Sequence, residues 1–205
     1  MESQEASIAI VDYGAGNLTS VKNAFAALGV ETVVTRDPAV VAAAARVVFP
    51  GVGAALSAME SLRSIGLESA VKSAAASGRP FLGICLAMQI LFEHSEEDGG
   101  VATLGVLPGR VRRFPKVPGV KVPQIGWNSI TIKEDPLFKY TKNGDYVYYV
   151  HSYCATECEA DTIAVSDYHV PITGAVHKGN VWGTQFHPEK SGNVGLGMLR
   201  AFNEL

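Results

Sequence analysis

The first ninety residues repeat one rhythm. A short apolar run is followed by a glycine-rich or polar break, and then by a stretch whose apolar positions recur every three or four residues. Residues 7–11 (SIAIV) are apolar without alternation, as a strand covered on both faces should be. They end at Asp12 and a loop broken by glycines, residues 13–17 (YGAGN). Leu18, Val21, Phe25 and Leu28 then share one helical face, with Asn17 placed to cap that helix and Gly29 to stop it. Residues 31–35 (ETVVT), 46–49 (RVVF) and 81–84 (FLGI) read as further strands. Between them lie an Ala-rich helix from Pro38 to about Ala45 and helices over 54–63 and 67–77, the last closed by Gly78. Another helical run covers 86–92.

Beyond residue 100 the period shortens to two. Residues 146–150, 162–165 and 174–177, rich in Val, Tyr, Thr and Gly, predict antiparallel strands that extend one end of the sheet. Residues 93–100 (EHSEEDGG) predict an exposed acidic loop, 181–186 a last strand and 195–203 a closing helix. The expected fold class is α/β, a mostly parallel sheet flanked by helices with an antiparallel extension in the second half. Residues 1–205 are expected to form a single domain, with residues 1–6 a polar extension.

Composition narrows the function classes. With 47% hydrophobic and 18% charged residues the chain can bury a core. Seventeen Lys+Arg against twenty Asp+Glu give a net charge of −3, which suits neither general nucleic-acid binding nor a polybasic membrane surface. The longest apolar stretch, residues 39–56, is interrupted by Arg46, Pro50 and two glycines and does not suit a membrane span. The first seven residues (MESQEAS) are the opposite of a secretory n-region. Three cysteines suit no disulfide framework, so the expected compartment is the reducing cytoplasm.

Four strand ends carry unusual residues, and ligands of an open parallel sheet bind at such ends. Cys85 stands at a strand-to-helix turn in Gly83-Ile84-Cys85-Leu86-Ala87, with small residues two before and two after it, the pattern of a nucleophile elbow. A helix start also favours thiolate. The alternative is a buried structural cysteine, and Cys154 and Cys158, which lack such a setting, are read as core or surface thiols. A nucleophilic thiol needs a base and the base an orienting group. His187 ends the last strand, and Glu189, two residues on, projects to the same side. The same segment also reads as a surface turn. Pro50-Gly51-Val52-Gly53 can expose peptide N–H groups to an oxyanion, or merely end a strand. His151, Cys154 and Cys158 lack the fourth ligand and the spacing of a zinc site, so no metal is expected. Gly14-Ala15-Gly16, with Asp37 some twenty residues on, is a weak dinucleotide fingerprint in which Thr19 takes the place of the third glycine.

Taken in order, residues 83–89 (GICLAMQ), 50–53 (PGVG) and 185–191 (QFHPEKS) resemble the class I glutamine amidotransferase family. Residues 12–17 (DYGAGN), 124–128 (QIGWN) and 148–153 (YYVHSY) add a resemblance to its branch that serves a cyclase of histidine biosynthesis. The resemblance runs from residue 8 to 202. One departure is Ala87, where the family usually has glycine; the added methyl is expected to be tolerated. The resemblance implies a flavodoxin-like sheet and a Cys85–His187–Glu189 triad that hydrolyses L-glutamine without a cofactor. It implies an oxyanion hole from Leu86 N–H and the Val52–Gly53 region. Gly53, Gln89, Glu97, Ser152 and Tyr153 would hold the amino-acid end of glutamine. Gln89 alone would otherwise be an ordinary helix residue. It further implies a (β/α)8-barrel cyclase as heterodimer partner, met by Asn17, Trp127, Tyr148 and Lys190. Ammonia becomes non-nucleophilic ammonium in water, so a chain of this length is expected to pass it to an acceptor site on another polypeptide. The alternatives are the glutaminase subunit of another synthase (pyridoxal phosphate or anthranilate synthase), a free-standing γ-glutamyl hydrolase, and a regulatory protein without activity.

Overall fold

The computed structural model describes residues 8–115 and 117–205; the expected polar extension, residues 1–6, lies outside them. The first half alternates as its pattern predicts. Strands β1 (Ile8–Val11), β2 (Thr32–Thr35), β3 (Arg46–Gly51) and β4 (Phe81–Cys85) are separated by helices α1 (Leu18–Ala27), α2 (Pro38–Ala43), α3 (Ala55–Ser64) and α4 (Leu67–Ala75). The five-residue helix α5 (Leu86–Ile90) follows β4 directly. The second half supplies β5 (His94–Ser95), β6 (Val101–Ala102), β7 (Arg110–Arg113), β8 (Gln124–Ser129), β9 (Thr131–Ile132), β10 (Tyr146–His151) and β11 (Tyr153–Thr156). The chain ends with β12 (Thr162–Asp167), β13 (Pro171–Lys178), β14 (Val181–Thr184) and α6 (Gly192–Asn203).

The main sheet has the order β2-β1-β3-β4-β14-β13-β12-β9. Its first five strands are parallel. β13, β12 and β9 continue it antiparallel. The parallel part has the flavodoxin-like order, and ligands of such sheets bind beyond the carboxyl ends of the strands. Apolar side chains alternate between two cores. Ala9, Val11, Val47, Phe49 and Phe81 pack with residues of α2 to α5 on one face. Ile8, Ile10, Val48, Leu82 and Ile84 pack with α1 and α6 on the other. Burial on both faces is why these strands read as unbroken apolar runs.

Several local expectations change. Asn17 holds the N-cap position of α1, yet its side chain makes no capping bond. Asp37 caps α2, accepting from Ala39 N–H at 2.8 Å, so the acid of the dinucleotide reading has a structural task. Residues 146–150 are not part of the main sheet. They lie in β10, which pairs antiparallel with β8 as a separate two-stranded ribbon. Its inward residues Val147 and Tyr149 join the second core, while the Tyr148 carbonyl accepts from His187 N–H at 2.9 Å just beyond β14. Nor are residues 93–100 simply an exposed acidic loop: β5 runs beside β7, Ser95 is buried, and Glu97 turns inward.

Candidate active site

β4 and β3 are in register at Cys85 and Gly51, so both turns open at the same edge of the sheet. Cys85 stands between β4 and α5 with φ +56° and ψ −113°, the strained backbone of a nucleophile elbow. The elbow requires small neighbours. A Cβ on Gly83 would come within 2.8 Å of Leu91 Cδ1, and one on Gly51 within 2.7 Å of both the Ala87 nitrogen and the Tyr13 hydroxyl. Ala87 itself is fully buried, its methyl packed in the first core. Leu86 opens α5, where the first amides of a helix have no partner within it.

His187 follows the neighbouring strand β14. Its Nδ1 lies 2.8 Å from Glu189 Oε1, with only 2% and 1% of the two side chains exposed. Pro188 starts a 3-10 turn, residues 188–190, which brings the carboxylate back under the ring. Ser191 holds the turn: its hydroxyl donates to the His187 carbonyl (2.6 Å) and accepts from Tyr148 N–H (3.0 Å). Burial opposes a charge on His187, but Cys85 and Glu189 outweigh it and push its pKa up to about 10. Its Nε2 is buried without a formed hydrogen bond, free to exchange a proton with the thiol side of the site.

Cys85 and His187 line one cavity of about 620 Å³, together with Val52, Gly53, Leu86, Gln89, Glu97, Ser152 and Tyr153. Every expected oxyanion and glutamine-binding residue is therefore at the same place as Cys85 and His187. Glu97 Oε2 accepts from Ala55 N–H at 2.7 Å. Burial pushes the Glu97 carboxyl up and the Ala55 amide pulls it back. Gln89 Nε2 donates to the Tyr153 carbonyl (2.8 Å) and to Gln185 Oε1 (2.9 Å). The residues read as a docking face also gather beside the triad. The rings of Trp127 and Tyr148 meet edge-on at 5.9 Å, and Lys190 Nζ lies 5.9 Å from the Tyr148 ring. Asn17 heads α1, which packs against the 188–190 turn.

A family model described as glutamine amidotransferase class-I matches residues 9–203. The chain belongs to the class-I glutamine amidotransferase family. Among amidotransferases of known sequence it is 47% identical to "Imidazole glycerol phosphate synthase subunit HisH" of Methanothermobacter thermautotrophicus, over 97% of this chain and 98% of that one. Proteins of the same description from Lacticaseibacillus casei and Listeria monocytogenes are 44% and 42% identical, each over 97% of this chain and 95% of the relative. Solved structures share the fold at low identity. A glutamine amidotransferase superposes with TM-score 0.76 at 17% identity, covering 97% of both chains. A chain of PurLQS from Thermotoga maritima gives 0.72 at 18%, covering 95% of this chain and 96% of that one.

The remaining cysteines of this amidotransferase are not among the residues lining the cavity. Burial pushes the Cys154 thiol up to about 11 and raises that of Cys158, which disfavours the nucleophilic thiolate. Among the described residues they form no metal-binding group with His151. His151 donates from Nδ1 to the Tyr153 carbonyl at 2.7 Å, and burial drives its pKa down to about 4. It lines the cavity as a neutral wall.

Two side chains at the site escaped the linear reading. The Tyr13 ring packs edge-on against Phe49 at 5.4 Å, and its buried hydroxyl lies beside the Val52 backbone without a fully formed hydrogen bond. Gln185, fully buried, points its Nε2 at Cys85 Sγ from 3.8 Å. The strand period that paired His187 with Glu189 also puts Gln185 on that side, two residues earlier. Tyr13 had no such signal.

Proposed function

We propose that this chain is the glutaminase subunit of an imidazole glycerol phosphate synthase, one amidotransferase unit working in the cytosol. The observation that carries the reading is the meeting of Cys85 with the buried His187–Glu189 pair at a cavity with ample room for an amino acid. Relatives bearing that subunit's description at 42–47% identity over nearly the whole chain support the choice of synthase.

The Cys85 thiolate attacks the side-chain amide carbon of L-glutamine. Leu86 N–H and an amide of Val52 or Gly53 receive the oxyanion. His187, charged by the thiol proton, gives it to the departing ammonia, and Glu189 fixes its orientation. Water activated by the neutral imidazole then attacks the γ-glutamyl thioester and releases glutamate. Gln89, Glu97, Gly53, Ser152 and Tyr153 hold the amino-acid end. Ammonia passes, before it meets bulk water, to a (β/α)8-barrel cyclase that forms imidazole glycerol phosphate and aminoimidazole carboxamide ribonucleotide. The docking face is the outer side of the β8–β10 ribbon. There Trp127, Ile125 and Tyr146 are 52%, 62% and 58% exposed, beside Tyr148, Lys190 and, across the triad turn, Asn17.

The Tyr13 hydroxyl beside Val52 favours a resting loop that must turn before its amide serves an oxyanion. Glutaminase turnover is accordingly low for the isolated glutaminase and rises when the nucleotide-loaded cyclase docks. The test is reconstitution with the barrel cyclase and a glutamine-dependent product assay. Cys85→Ala should abolish synthesis from glutamine and leave synthesis from ammonium salts. Glutamine-dependent product from that variant would overturn the reading, and equal turnover with and without cyclase would favour a free-standing hydrolase. Product only with pyridoxal phosphate or anthranilate synthase partners would reassign the subunit.

A further inference from the structure

Gln185 is a polar side chain with no solvent contact, placed between the nucleophile and a residue of the proposed glutamine pocket. Its backbone N–H is fixed to the Gly174 carbonyl at 2.8 Å, so β13 anchors it. Burying an amide is costly unless its atoms are used, and here both ends are. Oε1 accepts from Gln89 Nε2 at 2.9 Å, while Nε2 points at Cys85 Sγ from 3.8 Å.

The two contacts have different consequences. Gln89 spends both amide hydrogens inward, one on Gln185 and one on the Tyr153 carbonyl. Among the described residues no group donates to Gln89 Oε1, so the amide offers the cavity an acceptor, suited to the α-ammonium of an amino acid. At the other end, Cys85 Sγ also lies 4.0 Å from the Val150 carbonyl, which can only accept. The Gln185 N–H works in the opposite sense.

We propose that Gln185 is a positioning residue with two separable duties: its oxygen orients Gln89 for the amino-acid end of the substrate, and its N–H supports the negatively charged sulfur of Cys85. The inference rests on the glutaminase reading above. The two duties can be split by two variants. Gln185→Glu keeps the acceptor for Gln89 but replaces the donor with a carboxylate facing the sulfur. Gln185→Met removes both.

The experiment measures glutamine turnover in the reconstituted complex and, separately, labelling of Cys85 by iodoacetamide, located by mass spectrometry. Labelling requires no glutaminase activity, so failure of the reading and failure of this inference give different results. Gln185→Glu is expected to lower kcat and the labelling rate at neutral pH by about tenfold or more, with KM for glutamine within about threefold. Gln185→Met is expected to lower labelling less and to raise KM about tenfold. Folded variants with unchanged labelling and unchanged KM would overturn the proposal, as would parallel changes of kcat and KM in both. Should either variant fail to fold, the unmutated protein gives the answer. The side-chain amide resonance of Gln185 should shift when Cys85 is carboxamidomethylated, and an unmoved resonance overturns the contact.

Discussion

Two buried histidines line the same cavity, and their protonation behaviour is opposite. His187, on the wall built by the parallel sheet, is pushed up to about 10. His151, on the wall built by the β8–β10 ribbon, is driven down to about 4. Burial acts on both in the same direction, against the charged form. What differs is the partner: a carboxylate and a thiol for His187, a peptide carbonyl and a neutral amide for His151. A buried imidazole keeps its proton only where a negative charge is supplied. The comparison separates a wall that supplies charge to its imidazole from a wall that does not.

The sharpest way to break it is Glu189→Gln, which keeps the shape and removes the charge. Glutamine-dependent turnover should fall by about 10³-fold or more, roughly 4 kcal/mol of transition-state stabilisation. The same variant should alter stability at alkaline pH. The folded pKa of His187 lies above its unfolded value near 6.5, so its contribution is fully present below 6.5 and is lost as pH rises towards 10. Urea titrations at pH 6, 8 and 10 should show that decline in the parent and much less of it in the variant.

For His151 the sign reverses. Its folded pKa lies below the unfolded one, so the unfolded chain binds more protons, and stability is lost as pH falls from 6.5 towards 4. The loss should be on the order of 3 kcal/mol. His151→Asn, which retains a donor for the Tyr153 carbonyl, should flatten that acid slope. An unchanged slope would place the acid sensitivity elsewhere.

Trp127→Ala tests the outer face of the ribbon wall. The protein should keep its fold and its basal turnover, while affinity for the cyclase weakens by about 2 kcal/mol in a binding titration. The smallest effect is expected far from both histidines. Asp37→Ala removes the cap of α2 and should cost about 1 kcal/mol of stability without changing turnover or partner binding. A change in activity there would mean that the two walls are not as independent of the remaining helices as their packing indicates.

How far each wall could be read from the chain follows from the range of the interactions that build it. Along the parallel wall, the unbroken apolar runs, the glycines and proline at strand ends and the His-x-Glu spacing are local signals. β1 to β4, the elbow at Cys85 and the joining of His187 with Glu189 all follow from neighbours a few residues apart. The ribbon wall depends on which strand pairs with which. Alternation alone sends residues 146–150 to the main sheet, whereas the register Tyr148↔Trp127 unites positions some twenty residues apart in a sheet of their own. Glu97 and Tyr13 need the same distant information, since an acidic loop and a glycine-broken turn say nothing of what they will face. Residue types and their local spacing thus determined the strand–helix framework and the candidate nucleophile, base and carboxylate. Only the folded chain decided which charges meet in the interior, because a pKa, an amide orientation or a sheet edge is set by neighbours that local spacing does not bring together.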